Sequence, residues 1–115
     1  MSEEQATSLL RVTVERQTRW AIVRLSGELD LQSHPGLADH LQSLLNEMDP
    51  PRIGVDLSGL QFCDSSGMAC LTMAWKVARE RRGELVLLRP RDEAARLLSM
   101  LGLAAAVPVL DELPG

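Results

Sequence analysis

Val55-Asp56-Leu57-Ser58-Gly59-Leu60-Gln61-Phe62-Cys63-Asp64-Ser65-Ser66-Gly67-Met68 reads as a short apolar strand, a turn at Gly59, and an acidic, hydroxyl-rich start to a helix. Val55 and Leu57 suit a buried strand. Asp64, Ser65 and Ser66 are residue types whose side-chain oxygens accept the unpaired amide hydrogens of a first helical turn. One such residue is enough for a cap, so three in succession point to a further role. The pattern places two hydroxyls at the positive end of a helix dipole, on the rim of a sheet. That place suits a phosphate, either bound as a ligand or attached to a serine.

Moving toward the amino terminus, Arg52 to Leu57 is the strand that carries this site, and Pro50-Pro51 ends whatever precedes it. Leu37, Leu41, Leu44, Leu45 and Met48 form one apolar helical stripe, with Pro35 in the first turn, where its missing amide hydrogen costs nothing. Leu10, Val12 and Val14 alternate with polar residues as a half-buried strand does. A polar turn over Glu15 to Thr18 then leads to a second strand, Trp20 to Leu25, antiparallel to the first.

Toward the carboxyl terminus, a helix is expected over 65–82, closed by Gly83, followed by a strand from Leu85 to Leu88. Pro90 opens a third helix with Ala94, Leu97, Leu98 and Leu101 on one face and Gly102 at its end. Val107 to Leu110 makes a short edge strand. Strands alternating with helices pair in parallel through crossovers, and the initial hairpin makes the sheet mixed. The fold class is α/β: a single domain with a mixed four- to five-stranded sheet, an N-terminal hairpin, parallel core strands and three to four helices.

The chain has 115 residues, which fits one domain; residues 1–8 read as a disordered tail and 9–112 as the domain. The net charge of −4 and the presence of only two Trp, one Phe and no Tyr argue against nucleic acid as the partner. The acidic start, Met1-Ser2-Glu3-Glu4-Gln5, lacks the layout of a signal peptide, and the apolar run from Leu97 to Leu110 is too short and too broken to span a bilayer. Cys63 and Cys70 stand without other ligand types around them, so neither a disulfide nor a metal site is expected. These features give the expectation of a cytoplasmic protein that needs no cofactor.

A catalytic serine is a poor fit. A nucleophile elbow places glycine two residues before the serine, where this chain has Asp64, and it needs a histidine base. His34 and His40 lie at the start and on the polar face of the first helix. Ser66 therefore reads as a modified or bound hydroxyl and not as a nucleophile. Ser26-Gly27-Glu28-Leu29-Asp30 follows the second strand, so Glu28 and Asp30 are expected to join Asp64 on one rim. On the second helix, Cys70, Leu71, Ala74, Val77 and Ala78 point inward, and Thr72, Lys76, Arg79 and Glu80 point outward. Met68, Ala69 and Met73 fall on or beside that outward arc, where adaptable side chains suit a binding surface.

The stretch Asp56 to Met68 resembles the D-L-S-x-L-x-F-x-D-S-S-G-L phrase of the STAS domain in bacterial anti-sigma factor antagonists. Leu25-Ser26-Gly27-Glu28-Leu29-Asp30, Gly83-Glu84-Leu85-Val86-Leu87, and Ala94 through Gly102 before Val107-Pro108-Val109 match in the same order, so the resemblance covers roughly residues 10–112. Met68 stands where the family has leucine, and Cys63 where it has a larger apolar residue. The resemblance implies a binding module and not an enzyme, phosphorylated at Ser66, with Ser65 the second candidate. Glu28, Asp30, Asp64, Ser65, Ser66, Gly67, Met68, Ala69, Thr72 and Met73 would meet the partner. That partner would be an anti-sigma factor that is also a serine kinase of the GHKL type, with a PP2C-type phosphatase restoring the unmodified form and the domain itself a monomer or weak dimer. Two other roles share the fold: a STAS subunit of an ABC-type lipid transporter, and a STAS domain that senses a nucleotide or small ligand.

Overall fold

Alternation of Leu10, Val12 and Val14 produces β1 (Leu10–Arg16), which pairs antiparallel with β2 (Ala21–Leu29). The computed structural model describes residues 9–114, so the expected tail over 1–8 lies outside the described residues. The hairpin turn is tighter than expected: the ladder runs to Arg16↔Ala21, and Gln17 N donates to Trp20 O at 2.8 Å. After β2 come α1 (His34–Glu47), β3 (Arg52–Cys63), α2 (Ser65–Glu80), β4 (Glu84–Leu88), α3 (Asp92–Met100), a 3-10 turn (Leu103–Ala105) and β5 (Val109–Leu110). The sheet order is β1-β2-β3-β4-β5, with every pair after the first parallel. The expected mixed α/β sheet is thus present, with five strands and three α-helices among the described residues.

Strand order equals chain order, so the three crossovers advance in one direction and carry their helices to one face. Leu37, Leu41, Leu44 and Leu45 of α1, Leu71 and Ala78 of α2, and Ala94 and Leu98 of α3 bury there against Val23, Val55, Leu57 and Leu87. At the far end, Arg81 donates to the Leu45 carbonyl at 2.8 Å, which satisfies a carbonyl in the last turn of α1. Gly83 does not supply the left-handed residue that closes α2; Arg82 does, at φ 61°. Gly83 is needed because a Cβ there would stand 2.0 Å from the Pro51 carbonyl oxygen.

Two strands run further than the sequence reading placed them. β2 does not stop at Leu25, and β3 does not turn at Gly59; Ser26 pairs with Gly59, Gly27 with Leu60, Glu28 with Phe62 and Leu29 with Cys63. The pairing register shifts between Arg24 and Ser26 and again between Gly27 and Glu28, each shift adding a residue to β3. Inward side chains therefore fall at Leu57, Leu60 and Cys63, three apart instead of two. Gly59 lets the bulged chain approach β2, since a Cβ there would lie 2.6 Å from the Leu25 carbonyl oxygen. Ser26 to Leu29 is accordingly strand, not loop, and carries Glu28 to the sheet's end.

The face away from the helices is covered in part. Trp20, Val86 and Leu88 pack there with Leu110 and Leu113, and Gly54 leaves the room that Leu113 fills. Beside this patch Asp56 is buried, its Oδ1 accepting from the Ser58 amide (3.0 Å) and hydroxyl (2.8 Å) and its Oδ2 from Arg89 (2.7 Å). Burial opposes its ionisation but is outweighed by the Ser58 amide, Arg89 and the Ser58 hydroxyl, which hold the carboxyl below its ordinary range. Arg89 also donates to the Asp111 carbonyl at 2.8 Å and so ties the final residues to the sheet. No helix among the described residues is long and apolar enough to cross a membrane.

Candidate functional site

β2 and β3 end side by side, and the site is built where they stop. Leu29 pairs with Cys63, and the Asp64 amide donates to the Leu29 carbonyl at 3.1 Å, so Asp30 and Asp64 leave the sheet as neighbours. Asp64 is extended (φ −111°, ψ −179°) and caps α2, its Oδ1 accepting from the Gly67 amide at 3.0 Å. The Ser66 hydroxyl donates to the same oxygen at 2.6 Å. Desolvation opposes ionisation of Asp64, but hydrogen bonds from the Ser66 hydroxyl and the Gly67, Ser66 and Leu31 amides outweigh it and hold the carboxyl low. The capping residue is thus an anion at neutral pH, at the helix end where negative charge is favoured.

Gly67 fixes how close this turn sits to the sheet. A Cβ on it would meet Leu29 Cγ at 2.5 Å and the Leu29 carbonyl oxygen at 3.2 Å. Leu29 is fully buried and cannot retreat. Glycine therefore seats α2 directly on β2, leaving Ser66 half-exposed and Ser65 exposed on the rim.

The expected binding residues divide when placed. Ser65, Ala69 and Met73 are exposed, Met73 at 60%. Met68 is not on the outward arc: it is 1% exposed, in a stripe with Gly67, Leu71, Ala74 and Ala78. It packs in the core cluster with Leu71, so it supports the site from beneath. Thr72 is half-buried, and its hydroxyl donates back to the Met68 carbonyl at 2.9 Å. Asp30 Oδ1 accepts from the Gln32 and Ser33 amides at 3.0 and 2.9 Å, which shapes the turn into α1. Glu28, Asp30 and Asp64 do lie at one end of the sheet, with the Asp30 and Asp64 carboxylates each engaged in a local turn.

Three residues of this rim escaped the sequence reading. Ser33 is buried; its hydroxyl accepts from the Asp30 amide and donates to the Glu28 carbonyl, both at 2.9 Å, and so latches the loop after β2. Leu31 is 70% exposed beside Asp64, and Phe62, paired with Glu28, is 43% exposed. The signal for Leu31 was available: an apolar residue in a loop, outside any periodic stripe.

Met73 also borders an apolar groove between α1 and α2, roughly 240 Å³, lined by His34, Leu41, Leu45, Cys70 and Ala74 among others. Cys63 is buried, and its thiol is pushed up to about 12 by burial and then by the charges of Asp64 and Glu93. Cys70 is raised by burial as well. Both sulfurs are inert packing groups at neutral pH. Among the described residues no cluster of three or more His, Cys, Asp or Glu is placed to hold a metal.

A family model described as "Mlab, STAS domain" matches residues 12–111. An anti-sigma F factor antagonist of Paenibacillus polymyxa is 30% identical over 102 residues, covering 89% of this chain and 87% of that protein. An anti-sigma factor antagonist from Mycobacterium paratuberculosis superposes with a TM-score of 0.76 at 23% identity, covering 96% and 92% of the two chains. SpoIIAA has the same fold in its unphosphorylated form (TM-score 0.68, 21% identity, 90% and 89% covered) and, from Bacillus, in its phosphorylated form (0.68, 22%, 85% and 89%). At these identities the structural likeness is one of fold, while the sequence match and the family model reach across nearly the whole chain. On those two grounds, the protein belongs to the STAS domain family.

Proposed function

We propose that this STAS domain is an anti-sigma factor antagonist that works by binding and is switched at Ser66. The observation that carries the reading is the Asp64–Ser66–Gly67 turn: a half-exposed hydroxyl held at a helix start, on a rim that also exposes Leu31 and Phe62, with Met73 exposed further along α2. The Paenibacillus relative supports the partner class by its name. In the unmodified state the rim and the outer face of α2 bind the anti-sigma factor, so the sigma factor is free. That partner acts as the ATP-dependent serine kinase, and a PP2C-type phosphatase resets the switch. The domain contributes surface and an acceptor hydroxyl, and it performs no chemistry itself.

A phosphoryl group on Ser66 replaces the hydrogen donated to Asp64 and adds about −1.5 to −2 charges at neutral pH. The helix start offsets part of the repulsion from Asp64, by roughly 0.3–1 kcal/mol. The partner has no such compensation. With one of its acidic groups about 5 Å away and an effective dielectric near 20, each added charge costs on the order of 3 kcal/mol. Screening and rearrangement reduce that, and one such contact still weakens binding by about a hundredfold.

Incubating wild type, Ser65→Ala and Ser66→Ala with the cognate kinase and ATP, then mapping the product by mass spectrometry, tests the switch. Phosphate on Ser66 in wild type and Ser65→Ala, and none on Ser66→Ala, is expected. Normal modification of the Ser66→Ala protein at Ser65 overturns the acceptor assignment. Capture from the native host of an ABC ATPase in place of an anti-sigma factor overturns the partner class.

A further inference from the structure

α2 is closed by a residue that makes its closure costly. The Gly83 amide donates to the Ala78 carbonyl at 2.7 Å and the Arg82 amide to the Arg79 carbonyl at 3.0 Å, the pair of bonds that ends a helix through one left-handed residue. That residue is usually glycine, because a Cβ crowds the neighbouring carbonyl there. Here it is Arg82, at φ 61°. Arg89 and Asp92 also have positive φ. Arg89 uses its side chain within the chain, on Asp56 and the Asp111 carbonyl, and aspartate is a residue type that tolerates the conformation. Arg82 is exposed, and among the described residues its guanidinium meets no hydrogen-bond or ion-pair partner. Its charge is not needed by the helix, since Arg79 in the last turn and Arg81 at the C-cap already supply the cations that a helix end favours. A strained backbone that carries an idle side chain points to a use outside the chain.

The surroundings show what that use requires. Arg82 lines an open cleft of roughly 320 Å³ with Trp75, Arg79, Gly83, Glu84 and Pro108. Trp75 packs against the core, and the Arg79 guanidinium lies over its ring, 5.4 Å from the centroid. Stacking steadies the guanidinium and leaves its N–H edge free to grip a planar anion. Among the described residues Arg79 has no acidic partner either. Glu84, the carboxylate of the cleft, is turned to Arg52 at 3.6 Å. We propose that this cleft is a docking site for an acidic segment of a partner protein. Arg79 and Arg82 each take a carboxylate side chain, and Trp75 and Pro108 cover an apolar residue between them.

The end of the helix selects the kind of anion. A carboxyl-terminal helix end presents carbonyls and a partial negative charge, and it has no free amides with which to cradle a compact phosphate. Carboxylates on flexible stems reach the guanidinium tips beyond those carbonyls, where bidentate pairing is available. The chain as a whole carries a net charge of −4, so two cations without acidic partners stand out from their background. Ser66 lies at the other end of α2, roughly 24 Å away along the helix axis, so the docking site stands whatever protein the Ser66 rim binds.

Titrating the full chain with the peptide acetyl-Glu-Glu-Leu-Glu-Glu-amide, followed by amide and indole NMR spectra, tests the site. Saturable shifts of the Trp75 indole and of the Arg79, Arg82 and Gly83 amides are expected. The dissociation constant should lie below about 1 mM at low salt and rise at least threefold in about 0.3 M salt. The Ser66 and Gly67 amides should stay in place. Arg82→Gly should weaken the peptide at least tenfold and, by relieving the left-handed arginine, raise Tm by about 2–5 °C. Arg79→Gln should weaken it to a similar degree while moving Tm by less than about 2 °C. A peptide with lysine in place of glutamate, and inorganic phosphate at equal concentration, should leave the cleft signals unshifted. No saturable shift, shifts centred on the Ser66 rim, equal shifts with phosphate, a lowered Tm for Arg82→Gly, or wild-type binding by that variant would each overturn the proposal.

Discussion

Replacing Gly67 with alanine sets two effects of opposite sign against each other. Alanine is the better helix former by about 1 kcal/mol in a helix interior, and somewhat less in a first turn. Against that, the new methyl would lie 2.5 Å from Leu29 Cγ and 2.9 Å from Cδ2, with the Leu29 carbonyl oxygen at 3.2 Å. Leu29 is fully buried among core residues, and the Asp64 amide holds its carbonyl, so neither side can yield cheaply. Overpacking of a filled core costs about 1–3 kcal/mol. The clash should win, for a net loss of about 1–2 kcal/mol and a drop in Tm of roughly 4–8 °C in a domain of this size. Gly102→Ala is the matched control: it carries a left-handed φ of 71° but nothing lies within 4 Å of its Cβ, so it costs backbone strain alone. Urea denaturation followed by circular dichroism, together with calorimetry, measures both. A Gly67→Ala protein as stable as wild type would refute the reasoning, because it would show that α2 is not seated on Leu29 by contact.

Further outcomes follow from other residues. Asp56 and Asp64 are held below the ordinary carboxylate range in the folded state, so their stabilisation is present above the unfolded value near 3.9 and is lost as pH falls through the folded values. Asp56→Asn should cost about 1–3 kcal/mol at pH 7 and flatten the acid limb of the stability curve below about pH 5; an unchanged limb would remove Asp56 from that role. Met73→Glu should move Tm by less than about 2 °C while weakening anti-sigma binding at least tenfold, about 1.4 kcal/mol, by calorimetry; unfolding would place Met73 in the core. Cys63 should resist a thiol reagent at pH 8 in the folded protein and react fully in urea; ready labelling of the native form would contradict its burial.

Elements with a single unbroken period were legible in the chain. The α1 stripe from Leu37 to Leu45 and the alternation from Leu10 to Val14 both appear where their periods place them. The ends of β2 and β3 were not, because two bulges space the inward residues Leu57, Leu60 and Cys63 three apart, a period that belongs to neither strand nor helix. Gly59 looked like a turn for the same reason that it serves a bulge: both need a backbone without a Cβ. At the site, Asp64 as cap and the place of Ser66 could be read from residue type and order. Ser33 could not, because its hydroxyl serves a loop across five residues and leaves its own helix uncapped. Met68 was misplaced by a helical wheel that knows only angle, whereas a first helical turn pressed onto a sheet buries a wider arc than the turns beyond it.

Leu113, seated over Gly54, has a practical consequence for anyone attaching something to this protein. Leu110 and Leu113 lie across the sheet face away from the helices, in a segment held by Arg89 through Asp111. A fluorophore placed on the exposed Glu112 would therefore sit behind the sheet, away from the helices and the Ser66 rim, and would leave that rim accessible. The attachment needs a spacer long enough to avoid pulling on Leu113. A probe at this point would report on the packing of Leu113 with Trp20, while measurements at the other end of the molecule proceed undisturbed.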